Sequence, residues 1–128
     1  MNIYLICCGL LGLIYVTLSL NIARLRGAKR INLGDGGDPT MLKAIRAHGN
    51  FNEFVPLCLF LIYLLSIYYG YRTVAGLSGL LVVARVLHAA GLLGYLGFGR
   101  VAGAVLTTLI LAVSSILLAL IGLGLRPY

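Results

Sequence analysis

Arg46, Asn50 and Glu53 stand at i, i+4 and i+7, so on a helix they stack on one face over two turns. They open a stretch, residues 46–56, that leads into an apolar run, residues 54–71. Ionised groups at the mouth of such a run are costly in a bilayer, which marks the stretch as a functional site. Guanidinium forks grip carboxylates in pairs of hydrogen bonds, and a lone carboxylate takes an ammonium. The ligand that fits is an anion with several carboxylates and one amine.

Each group also has a plainer reading. Arg46 alone would be an interfacial anchor that reaches for water. Asn50 gains nothing from lipid and needs a polar partner. His48 lies about 200° around the helix from Arg46, so it faces another helix or a neighbouring subunit. Arg85 and His88 interrupt a later apolar run three residues apart. Glu53 lies about 12 residues from Met41, and Arg85 about 12 residues from Gly97, which at the rise of a helix puts them at similar depth. An ion pair between them would relieve two buried charges, whether as a structural clasp or beside a ligand. Two histidines are too few to argue for a metal.

These groups need a membrane scaffold to hold them. Of the 128 residues, 61% are hydrophobic and 10% charged, and the mean hydropathy is +1.05. Such a chain is too apolar for a soluble domain. At about 20 apolar residues per span, four spans leave only short connections. The net charge of +7 sits mainly at span ends, which points to anionic lipid or an anionic small molecule rather than nucleic acid. Cys7, Cys8 and Cys58 lie in apolar runs without redox or metal spacing, and read as small hydrophobes. The first apolar run has no basic leader and exceeds a signal peptide's core, so it is expected to remain as a span.

The spans are expected at about residues 2–24, 41–70, 73–97 and 101–125. Arg24, Arg26, Lys29 and Arg30 end the first, and residues 34–39 form a turn in which Asp38 and Pro39 read as helix cap and first helical residue. Pro56 removes one backbone hydrogen bond inside the second span. Tyr68, Tyr69, Tyr71 and Arg72 form an interfacial boundary. Gly99 and Gly103 have the four-residue spacing of a helix-packing motif, a weak signal by itself. The basic connection of residues 25–40, and with it the Arg100 turn, is expected on the cytoplasmic side, with both termini outside. The whole is an all-α, four-span bundle.

At these residues the chain resembles the MAPEG family, the membrane-associated proteins of eicosanoid and glutathione metabolism, and its small bacterial members above all. Residues 45–56, Ile-Arg-Ala-His-Gly-Asn-Phe-Asn-Glu-Phe-Val-Pro, resemble the family signature Arg-Ala-His-x-Asn-x-x-Glu with a proline close behind. Ala84-Arg85-Val86-Leu87-His88 is similar to the family's third-helix pattern. The resemblance implies a homotrimer, expected in the bacterial inner membrane, with glutathione as co-substrate held between subunits near the cytoplasmic side. It implies Arg26, Arg46, His48, Asn50, Glu53, Arg85 and His88 as the glutathione-binding set, and Arg100 as the catalytic arginine that stabilises the thiolate. An adjacent arginine raises the thiolate fraction of a thiol whose ordinary pKa is about 8.5. The thiolate would attack a lipophilic electrophile arriving from the bilayer.

Two positions depart from the eicosanoid-making members: Leu92 and Val101 stand where those have tyrosine and serine. The resemblance therefore implies a glutathione transferase or peroxidase-like activity and not prostaglandin isomerisation. Two other classes compete with it. One is a non-catalytic scaffold that binds glutathione or lipid, and would bind without turnover. The other is a small transporter using Glu53 as a cation site, which nearby arginines would oppose.

Overall fold

The computed structural model describes residues 3–125. Four helices follow in order: α1 (Ile3–Lys29), α2 (Pro39–Leu65), α3 (Tyr71–Leu92) and α4 (Gly99–Gly122). All four are long and apolar enough to cross a membrane. Asn2 and Arg126, expected at the ends of the first and last spans, lie outside the described residues.

The turn chemistry of the first connection works as its residues suggest. Asp38 caps α2 by accepting from the backbone N–H of Met41 at 2.8 Å, and Pro39 takes the first helical position, where a missing N–H costs nothing. Lys29 reaches across to the Asp38 carboxylate. Arg26 donates to the carbonyls of Ile31 and Gly34, so its guanidinium ties down the connection. Arg30, at φ 55°, occupies the left-handed position just past α1, and the Ile31 N–H closes back onto the Arg26 carbonyl.

The end of α3 falls at a glycine. Gly94 takes φ 91°, its N–H bonds the Gly91 carbonyl, and the Tyr95 N–H bonds the Ala90 carbonyl. That is a Schellman stop, which glycine adopts without steric penalty. The helix therefore ends at Leu92, short of the expected residue 97, and residues 93–98 form the connection.

Helix α2 buries Met41, Ala44, Ala47, Phe51, Val55, Cys58, Ile62 and Leu65, an alternation of three and four residues that makes one stripe along the helix. Pro56 lies off that stripe and the helix continues through it. Helices α2 and α3 are central: each packs against the other three, whereas α1 and α4 do not touch. The α3–α4 seam is closed by small residues. A Cβ at Gly103 would stand 2.5 Å from the Ala84 carbonyl oxygen and the His88 nitrogen, and one at Gly99 would stand 2.5 Å from the Leu87 carbonyl oxygen. Gly91 on α3 is pressed against the Gly99–Arg100 backbone in return. The glycine spacing that looked weak in the sequence is thus the contact that brings α4 against α3.

Apolar side chains cover the outside as well as the core: Leu13, Leu20 and Val101 are 65%, 64% and 67% exposed. A surface of this kind belongs in hydrocarbon.

Candidate functional site

Lys43, Arg46 and Asn50 recur at i, i+3 and i+7 along α2, beside the buried stripe, and so face the rim of the bundle where α3 ends and α4 begins. There they meet His88 and Leu92 of α3 and Arg100 in the first turn of α4. With Leu42 these residues line a cleft of about 220 Å³. The glycine seam makes this possible, because close approach of the α3 and α4 backbones sets Arg100 against Gly91, one turn from His88, and both side chains line the same cleft. Three cations, Lys43, Arg46 and Arg100, are exposed around the cleft.

Beneath the cleft lies a buried polar knot. Arg85 is 1% exposed and His88 3%. Both terminal nitrogens of Arg85 donate to the Asn50 side-chain oxygen, at 3.1 and 3.0 Å, and one lies 3.4 Å from His88 Nδ1. The Phe51 ring centroid is 5.4 Å from the Arg85 guanidinium carbon, close enough for a cation–π contribution. Among the described residues the Arg85 Nε has no partner. Arg85 borders a small void of about 30 Å³ lined also by Asn50, Phe54, Ala104, Thr107 and Thr108, large enough for one water.

The expected pair of Glu53 with Arg85 does not form. The Lys29–Asp38 bridge is the ion pair found among the described residues, and Glu53 is exposed. The cause is the face and not the depth: Arg85 meets Asn50, Phe51 and Phe54 on the inner side of α2, whereas Glu53, about 100° around the helix from Phe54, points outward. Asn50 thereby gains the polar partner its position demands.

The remaining candidates are placed as follows. Arg46, Asn50, His88 and Arg100 converge on the cleft, and Arg85 supports it from below. Glu53 lies deeper along α2, outside the cleft lining. Arg26 is engaged with its own loop. His48 turns towards α1: its Nε2 is 3.0 Å from Ser19 Oγ, and its ring stacks on Tyr15 at 4.6 Å between centroids. Ser19 gives its hydroxyl proton to the Tyr15 carbonyl, so His48 is the donor in that contact. Lys43 is the cleft residue that the sequence reading passed over. Its spacing from Arg46 and Asn50 was visible, but lysine at a span end reads as a positive-inside anchor.

The fold and this rim define a class: a four-span helical membrane protein with a cationic cleft at one end of the bundle. The MAPEG family model matches residues 4–120, and the chain belongs to the MAPEG family, in keeping with its resemblance at residues 45–56 and 84–88. It is also similar to the inner membrane protein YecN of Escherichia coli K12 and of E. coli O6:H1 strain CFT073. Each is 30% identical over 81 residues, which span 62% of this chain and 62% of the relative. No solved structure matches it significantly. Four helices long and apolar enough to cross a membrane, in a chain of this family, support an integral membrane protein.

Proposed function

We propose that this protein is a membrane-bound glutathione transferase-like enzyme that conjugates, or reduces, hydrophobic electrophiles at the cationic cleft, and that it works as a homotrimer. The observation that carries this reading is the convergence of Lys43, Arg46 and Arg100 with Asn50 and His88 around one cleft. Three cations drawn together at a membrane rim repel one another and call for an anion. Glutathione supplies two carboxylates and, once deprotonated, a thiolate.

In this reading Arg46 and Lys43 hold the carboxylates, and Arg100 faces the sulfur. Its charge favours the thiolate over the thiol. The thiolate sulfur attacks the electrophilic carbon of an acceptor, a C–S bond forms, and the leaving group departs with the bonding electrons. The thiol proton goes to water at the rim. Glu53, the one acid outside the first connection, is the group available for the peptide's ammonium.

Assembly is proposed on two grounds. The cleft of about 220 Å³ is smaller than the roughly 300–1,000 Å³ of a usual small-molecule site, so a neighbouring protomer would complete it. An exposed carboxylate within a span, Glu53, also needs a partner from outside its own protomer. The connection at residues 30–38 and the Arg100 turn are proposed to lie on the cytoplasmic side, where soluble glutathione would enter.

The test is conjugation of glutathione to a chlorodinitrobenzene-type acceptor by the purified protein in detergent. Arg100→Ala is expected to lower kcat by about 10- to 100-fold, the range for loss of one charge-stabilising group. Arg46→Ala is expected to raise the KM for glutathione with a smaller effect on kcat. Equal inactivity of wild type and Arg100→Ala across an acceptor panel would sink the catalytic claim. Binding of glutathione without turnover would favour the scaffold reading instead.

A further inference from the structure

Arg85 has five N–H donors and no acceptor, and it stays charged at any physiological pH. Whatever atom faces it must therefore accept. That constraint acts on both groups that Arg85 touches and that also line the cleft. Two guanidinium nitrogens converge on one atom of the Asn50 amide, so that atom is the oxygen, and the Asn50 NH₂ is left to the cleft. His88 presents Nδ1 to the same guanidinium, so Nδ1 is unprotonated and the ring proton sits on Nε2.

From this we infer that Arg85 is a positioning residue that sets the polarity of the cleft from below: by occupying the acceptor atoms of Asn50 and His88, it turns both side chains into hydrogen-bond donors towards the ligand. Lys43, Arg46 and Arg100 are donors by nature. With Asn50 and His88 locked the same way, every polar side chain lining the cleft donates. The site is then complementary to a ligand whose inward-facing groups only accept, carboxylates and a thiolate, and it rejects an ammonium or a protonated thiol at Asn50 and His88. Burial keeps the arrangement rigid. Arg85 is 1% exposed, fixed by Asn50 on one side and by the Phe51 ring on another, and no carboxylate of the same protomer pairs with it among the described residues. A cation held this way also lends its charge to any anion bound above it.

This deepens the glutathione reading and depends on it for the identity of the anion, but the donor lock itself exists without ligand. The chain has two histidines, so ¹⁵N-histidine-labelled protein in detergent, with His48→Gln for assignment, reports the His88 ring directly by NMR. The ligand-free wild type is expected to show His88 as the neutral Nε2–H tautomer, and Arg85→Met a tautomer mixture. An Nδ1–H ring in the wild type would overturn the inference, and so would an unchanged Nε2–H ring in a folded Arg85→Met. The second measurement uses Asn50→Asp. A carboxylate there still accepts from Arg85, so the melting temperature is expected to hold or rise, while its other oxygen meets the ligand as an acceptor. Glutathione affinity, read by thermal shift, is expected to fall at least tenfold. Affinity equal to wild type would overturn the donor role of Asn50. A wild type with no affinity for glutathione overturns the proposed function, and the tautomer measurement still decides the role of Arg85.

Discussion

Single side chains here behave according to the atoms they must face. Arg26 and Arg46 are both arginines near a span end, yet one spends its donors on loop carbonyls and the other stands at the cleft. The family resemblance implied both as glutathione contacts. Asp38 is the residue whose ionisation bears on folding most directly. The Lys29 ammonium beside it, and then the Met41 N–H, hold its carboxyl below the usual carboxylate value. A depressed folded-state pKa contributes stability that is present above the unfolded value of about 3.9 and is lost as pH falls through the folded one. Unfolding temperature measured from neutral pH down through about pH 4 is therefore expected to fall with acid in the wild type. Asp38→Asn, which keeps a capping oxygen but cannot ionise, is expected to flatten that slope. Parallel curves for the two proteins would show that another group controls the acid response.

At the scale of elements, backbone contacts rather than side-chain bulk fix the geometry. The α3–α4 seam has no room for a methyl group at Gly103, and the same seam sets the height of Arg100 relative to His88. Gly103→Ala would improve helix propensity by roughly 1 kcal/mol, but the overlap with α3 backbone costs about 1–3 kcal/mol, and backbone cannot step aside as a side chain can. The variant is expected to melt earlier in detergent and to lose glutathione affinity as Arg100 is displaced. A higher melting temperature would mean that the seam relaxes freely. The opposite change is available at the end of α1. Arg30 holds φ 55°, a conformation costing a side-chain-bearing residue roughly 1 kcal/mol, and Arg30→Gly is expected to recover about that much in the same assay.

The whole molecule carries ten basic residues against three acidic ones, and two of the acids, Asp35 and Asp38, lie in the first connection. Among the described residues Arg85 has no counter-ion from its own protomer, and the cleft above it gathers three more cations. Anion binding should relieve this repulsion: glutathione at about a hundred times its Kd is expected to stabilise the protein by about 2.7 kcal/mol, read as a concentration-dependent rise in melting temperature. A melting temperature indifferent to glutathione at every concentration would count against the site. Orientation can be read from Leu33, which is 89% exposed in the first connection. A cysteine placed there is expected to react with an impermeant thiol reagent only from the cytoplasmic side of inverted vesicles. Labelling in intact cells, from the face opposite the cytoplasm, would reverse the topology, and with it the route by which a soluble thiol peptide reaches the cleft.

Four apolar stretches, the Asp38–Pro39 helix start, and the identity of the polar residues near the rim were all legible in the sequence, because each depends on the composition or local order of a few neighbouring residues. Asn50 could be marked as needing a partner for the same reason: an amide in an apolar span is costly wherever the other helices lie. Which partner it takes was not legible. That depended on which face of α2 meets α3, which leaves Glu53 outside, and the cleft depended on how closely α4 approaches, which Gly91, Gly99 and Gly103 decide by having no side chain. Periodicity along one helix fixes the face a residue occupies but carries no information about which helix that face meets. Only the packed bundle set Arg85 against Asn50 instead of Glu53, turned His48 away to α1, and added Lys43 to the cleft.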